Sequence, residues 1–427
     1  MTRAPAPHPA DGARNASTPA PNAGAPLAGA RIAEWTRIAG YAAFLACSWT
    51  WCIGMYLPVI LRRDFGPWAF AIFAIPNCLG AAAMGVMLWR RGSSERLLSR
   101  HALAARVFSL VTLIFQVWFF VSLLRWASVD RLYLAGGVGL GVVAGLLAVG
   151  GKPSLRRAAS AILWSVSLVL VLSWLNAPAP ARPPAPLPAP TEGVLDLLVL
   201  APISLFGFAL SPYLDLTFHA ARQSLPGRAG TQAFLYGFLL LFPCMLALTW
   251  AYTPALLGAD PVHPERGLPA LVGAHIGAQL AFTAVLHLRS AAAGPPPAGA
   301  AIAWGAVALA VVLALAGFLV PAGWTYSKLS LFELVYRVFM GFYSLVAPAY
   351  VLLAVVGGGV MRPAPDKRTW LVFAGAIAIA SPLFWMGFVE RETPYLLVGL
   401  GVVLLAKAFI RRAESPQADR ARPARSA

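Results

Sequence analysis

Charge is what this chain lacks. Only 11% of its 427 residues are Asp, Glu, Lys or Arg, whereas soluble domains carry about 25%. With 59% hydrophobic residues beside so little charge, the composition excludes a soluble globular protein and points to an integral membrane protein. Acid is scarcer than base, 16 residues against 33. Cysteine is rare too. Cys47, Cys52, Cys78 and Cys244 all fall in apolar segments without metal-ligand spacing, so they read as buried thiols. There is no Gly-rich phosphate loop, His/Glu metal motif, Gly-x-Ser-x-Gly elbow or paired carboxylates, so no catalytic set, resident cofactor or metal site is expected. The run from Gly136 to Gly141 sits inside an apolar stretch with no strand before it, and reads as close helix packing.

What is present is a series of long apolar segments. A helical crossing needs about 20 apolar residues. Segments 37–61, 66–89, 103–124, 131–150, 156–175, 194–221, 230–252, 268–289, 299–321, 334–357, 370–388 and 394–410 meet that need, predicting an all-α polytopic protein of about twelve transmembrane helices. Residues 1–33 carry no signal-peptide core and read as a disordered tail. Asn15-Ala16-Ser17 fits a glycosylation pattern but falls in that tail, placed inside the cell. Ala177 to Pro190 reads as an extended proline-rich arm, 253–267 and 322–333 as loops, and 411–427 as a disordered basic tail.

Orientation follows from Lys and Arg. One set of alternate loops, including Arg90, Arg96, Lys152, Arg156, Arg222 and Lys367, carries fourteen such residues; the other, including Arg62, Arg63, Lys328 and Arg337, carries nine. Both termini are therefore expected in the cytoplasm, in a plasma or bacterial inner membrane. The excess of base reports topology and contact with anionic membrane lipid, not nucleic acid. Most acids fall in loops or tails. Asp196 sits at the outer mouth of the sixth segment, which leaves Asp215 as the one carboxylate expected deep in the membrane.

Asp215 lies in Gly207-Phe208-Ala209-Leu210-Ser211-Pro212-Tyr213-Leu214-Asp215-Leu216-Thr217-Phe218-His219. A charge at bilayer depth costs roughly 2.5–3.5 kcal/mol on insertion scales, so such a residue faces protein or water. Pro212 removes an amide donor and is expected to open the helix near Phe208. Asp215 and His219, four apart, are expected to share a face and hydrogen-bond; the competing reading pairs Asp215 with Arg222 at the interface. The first segment, Trp49-Thr50-Trp51-Cys52-Ile53-Gly54 through Pro58, is similarly interrupted, with Gly54 the expected point of unwinding. Asn77 and the small residues around Gly80 suggest close packing of the second. His275, Gln279, Thr283 and His287 recur every four residues, a stripe expected to turn inward. Ser109, Thr112 and Gln116 form a similar stripe. Tyr336 and Tyr350 fit interfacial belts, leaving Tyr343 as a pathway residue.

These interrupted helices, with Asn77 and Gly80 between them, resemble the LeuT fold of the amino acid–polyamine–organocation superfamily, including its sodium:solute and nucleobase:cation symporters. The resemblance implies a five-plus-five inverted repeat, 35–176 and 194–358, with two extra helices over 369–410. It implies a substrate or ion site built from Trp49, Thr50, Gly54, Gln116, Ser211, Tyr213, Asp215, His275 and Gln279. Thr283 stands where the family's sodium site uses adjacent hydroxyls, but Ala284 follows it, so a proton taken by Asp215 or His219 is the alternative to Na+. The expectation is a secondary transporter of a small organic solute. The alternatives are a membrane-embedded enzyme acting on a lipid-linked substrate and a non-transporting sensor or scaffold. The solute and the oligomeric state are left open.

Overall fold

The computed structural model describes residues 25–126, 131–178, 189–259, 268–293, 298–321, 323–357 and 362–420. The expectations for Asn15-Ala16-Ser17, for most of the proline-rich arm and for 260–267 fall outside these described residues. The chain is an all-α polytopic membrane protein. Among the described residues, ten helices are long and apolar enough to cross a bilayer; a pair bent by 54°, Gly29–Trp49 and Cys52–Phe65, and a shorter apolar helix, Pro394–Ile410, account for the remaining predicted segments. Helix extends further than expected at both ends, beginning at Ala25 and continuing to Arg420. The 322–333 loop is shorter than expected, because a small hairpin pairs Thr325–Tyr326 with Leu329–Ser330 and the tenth span starts at Leu331.

Small residues set how closely the spans approach. A Cβ added at Gly137 or Gly141 on the fourth span (Arg131–Gly150) would stand 2.1 Å from the carbonyl oxygens of Ala274 and Ala278 on the eighth (Ala270–Ala292). Of the Gly136–Gly141 run, Gly137 and Gly141 are thus the close-packing positions, whereas Gly136 and Gly139 face open space. On the second span (Trp68–Met87) the same test at Gly80 gives 2.2 Å to the Phe208 carbonyl of the sixth (Val194–Leu210). The first span packs on the seventh (Arg228–Tyr236, continued by a π turn into Phe242–Ala259), and the third (Ser93–Trp126) on the ninth (Ala298–Gly317). Moving each partner by five turns the first–seventh contact into sixth–second and the third–ninth into eighth–fourth.

The ends of the spans fall into two networks. At one, Arg63 meets Glu333, Arg337 meets Asp64, and Arg391 lies 3.8 Å from Glu192. At the other, Arg222 donates to the Leu88 carbonyl, Arg106 to that of Ala291, and Arg100 to that of Arg362. These are the two sets of loops that the charge pattern separates, the first being the set expected outside. Buried core runs between them, with Trp49, Trp51, Tyr252 and Tyr343 among its fully enclosed side chains. Cys47, Cys52 and Cys78 are buried as expected, whereas Cys244 is exposed on the flank.

Gly80→Val would drive two methyls into the Phe208 backbone. Overpacking of this kind costs about 1–3 kcal/mol. The variant should lose monodisperse protein at a lower temperature than the wild type in detergent size-exclusion assays, and equal survival would contradict the packing.

Candidate functional site

Both interrupted spans break, but not where the sequence suggests. The sixth stays α-helical through Gly207 and Leu210, tightens to a 3-10 turn over Ser211–Leu214, goes extended at Asp215 (φ −78°, ψ 110°) and restarts as Leu216–Ser224. Pro212 begins the tight turn, a position that tolerates its fixed φ and missing donor. The opening therefore comes after the proline and not at Phe208. In the first span, Trp51 is extended and the next helix begins at Cys52. Gly54 is helical. Its carbonyl, deprived of a donor by Pro58, accepts from Thr249 Oγ1 at 2.9 Å, which lets the helix pass the proline without unwinding.

Asp215 is fully buried. Its Oδ1 accepts from the Thr217 amide and hydroxyl, both at 2.7 Å, so the carboxylate caps the helix that follows the break. Oδ2 has no hydrogen-bond partner among the described residues. The expected bond to His219 is absent. His219 Nε2 lies 2.9 Å from the Tyr213 carbonyl and Nδ1 2.8 Å from Ser94 Oγ. A carbonyl only accepts, so Nε2 carries the hydrogen and a neutral ring accepts from Ser94. Asp215 takes the extended capping position, and its second oxygen turns elsewhere. The Arg222 alternative fails as well, since that guanidinium donates to the carbonyls of Leu88, Trp89 and Gly227 at 2.7–3.0 Å.

The helix that Asp215 caps packs instead against the eighth span, which carries the buried His287. His287 Nδ1 is buried without a partner among the described residues. Trp51, at the break of the first span, lies 6.5 Å from the His287 ring and 5.0 Å from Tyr343. Tyr343 hydroxyl meets Thr112 Oγ1 at 2.5 Å, and the Tyr343 carbonyl accepts from Ser211 Oγ at 3.0 Å. Both breaks thus meet around one carboxylate, joined by the third, eighth and tenth spans. Tyr336 and Tyr350 are not belt residues: each is buried, Tyr336 donating to the Cys52 carbonyl and Tyr350 meeting His101 Nδ1.

The other expected residues divide in two. Trp49 Nε1 donates to Asn77 Oδ1 at 2.6 Å, and Thr50 Oγ1 to the Ala46 carbonyl, so these support the break. Gln116, Gln279 and Thr283 form a separate group: Thr283 donates to Gln116 Oε1 at 3.1 Å, and Gln279 Nε2 to Ser167 Oγ at 2.8 Å. His275, Gln279, Thr283 and His287 are all buried, so the stripe turns inward as expected.

A narrow cavity of about 70 Å³ lies beside the network of Arg63, Asp64, Glu333 and Arg337. Apolar side chains such as Leu57, Ile203 and Met340 line it, with Gly207, Phe208, Tyr343 and Ser344 deepest along the spans and Asp64, Glu192, Arg337 and Arg391 toward the outer end. None of the predicted site residues lines it; Tyr343 stands between it and Asp215. Beside the mouth, Arg63 binds Glu333 through two bonds of 2.5 and 2.8 Å, Arg337 binds Glu333 at 2.8 Å, and Arg337 also meets Asp64. Asp64 and Glu333 are buried, so Asp215 is not the one deep acid. The sequence signal was present in Glu333 and Arg337 at helical spacing and in Arg63-Asp64 after Pro58, but these charges read as loop. His287 and Thr112 were visible as members of polar stripes and Tyr343 as a pathway residue, none of them with an assigned partner. No group of three or more His, Cys, Asp or Glu able to hold a metal occurs among the described residues.

No protein family, curated protein or solved structure matches this chain.

Removing one member of a buried ion pair costs about 3–5 kcal/mol. Glu333→Gln should therefore lower the melting temperature clearly. The double variant with Arg63→Gln, which restores neutrality, should lose less than the sum of the single losses. Additive losses would show that the four charges act independently.

Proposed function

We propose that the protein is a secondary active transporter that moves a small organic solute by alternating access, coupled to a proton held at Asp215. The observation that carries this reading is a fully buried carboxylate at a break in the sixth span, with one oxygen unpartnered, beside a break in the first. Broken helices beside a mid-membrane charge are how many carriers build their sites. The pairing of spans, related by a shift of five, supports the inverted-repeat arrangement that the LeuT-like resemblance implies. In this reading the cavity is the outer entrance. Tyr343, tied to the third span by Thr112 and to the sixth by Ser211, is its floor. The ion quartet joins the outer half of the first span to the tenth and steadies that entrance.

Proton coupling is favoured over Na+ by two features. Thr283 already donates to Gln116 and has no hydroxyl neighbour at Ala284, and the eighth span packed against the helix that Asp215 caps carries a buried imidazole, His287, a proton-exchanging group. Both termini are placed in the cytoplasm by the Lys and Arg distribution.

The test is uptake into proteoliposomes of a panel of radiolabelled amines, amino acids and nucleobases under an imposed pH or Na+ gradient. Wild-type protein should accumulate at least one class under the pH gradient. Asp215→Asn, close to isosteric, should lower that uptake at least tenfold with normal reconstitution. Accumulation unchanged by the substitution, or driven by Na+ alone, would contradict the assignment.

A further inference from the structure

The inner face of the eighth span holds more unsatisfied polarity than a solute cavity explains. His275 is fully buried with neither ring nitrogen partnered among the described residues. One turn on, Gln279 leaves Oε1 unpartnered; two turns further, His287 leaves Nδ1 so; Asp215 Oδ2 comes next. Thr283, between them, ties the column to Gln116, whose Nε2 is also unpartnered. Four residues of helix advance about 6 Å, a gap that one water with a hydrogen bond on either side spans. Buried polar atoms in proteins are satisfied by protein or by ordered water, and an apolar interior does not retain several in line without an occupant.

We propose that this face holds a file of bound water from His275 to Asp215, and that the file, separate from the outer cavity, carries the coupling proton. The role given to the proton rests on the transporter reading; the water file does not. A proton accepted on one nitrogen of His275 is released from the other to water. It passes along water held by Gln279 and Thr283 to His287, and from His287 Nδ1 through water to Asp215 Oδ2. Each hand-over breaks one N–H or O–H bond and forms another, with no change of oxidation state. The other ionisable groups facing the column are thiol or phenol: Cys47, within 3.8 Å of Gln279, Tyr252, whose ring centroid is 6.4 Å from His275, and Tyr343 beside Asp215. Of His275, His287, Asp215, Cys47, Tyr252 and Tyr343, the last alone lines the outer cavity, and there the two routes adjoin.

Hydroxyl-radical footprinting by X-ray radiolysis, on the full chain in lipid nanodiscs without solute, tests the file, since radicals form from water next to the residue they modify. His275, His287 and Tyr252 should be oxidised at least fivefold faster than Phe108 and Phe119, which are equally enclosed but apolar. Gln279→Leu should slow His275 and His287 by a similar factor. Oxidation of the histidines no faster than of those phenylalanines in the wild type would overturn the file, whether or not the variant folds. A wet file in a protein whose uptake ignores Asp215→Asn would instead leave the water in place and overturn its proton role.

Discussion

The arrangement depends on one hydrogen-bonded cap inside the membrane. Asp215 terminates the tight turn begun at Pro212 and holds the start of Leu216–Ser224 through Thr217. Without that carboxylate the amides of a helix start would lie bare in an apolar interior, where unsatisfied backbone donors are costly. A neutral capping side chain would serve that structural need at lower cost, because Asn and Ser cap as well as Asp. What only the carboxyl group brings is a second ionisable oxygen, and here that oxygen is unspent.

From this constraint the rest of the site follows. The break brings Ser211 to the backbone of Tyr343, and Tyr343 reaches Thr112, so the sixth span is anchored to the tenth and third around the acid. The first span breaks nearby, at Trp51, whose ring packs on Tyr343 and His287. Farther out, four charges occupy what would otherwise be a weak seam between Cys52–Phe65 and the tenth span. Ion pairs at that depth contribute more to orientation than to net stability, since desolvation offsets much of their attraction. Two of the four charges, Asp64 and Arg337, line the cavity together with Tyr343.

Much of the fold was legible in the sequence, and the reason is length. Twelve apolar segments, Gly137 and Gly141 on one face, and two alternating sets of charged loops all follow from what a bilayer permits. The site was legible in its residues more than in its geometry. Pro212 announced a break, but whether a proline opens the turn before it or starts the turn after it depends on neighbours distant in sequence. Spacing of four put His219 beside Asp215 only if the helix ran through both, and the carboxylate sits outside it as a cap. The Arg63–Glu333 bond joins residues 270 positions apart, beyond any local pattern. His287 read only as the last member of the eighth segment's stripe, because nothing in its own segment shows that the helix capped by Asp215 packs against that span.

If the protein works by alternating access, the carboxylate lies on a path closed on one side at a time. Single cysteines at Ser344, lining the outer cavity, and at Ser94, beside His219, in a chain otherwise free of cysteine, report the two sides. The decisive quantity is the rate at which each is modified by a membrane-impermeant thiol reagent, applied to each face in turn while pH is varied. Reciprocal changes are expected, with Ser344→Cys slowing as Ser94→Cys speeds up. Rates at the two positions that stay fixed, or rise and fall together, would contradict alternating access.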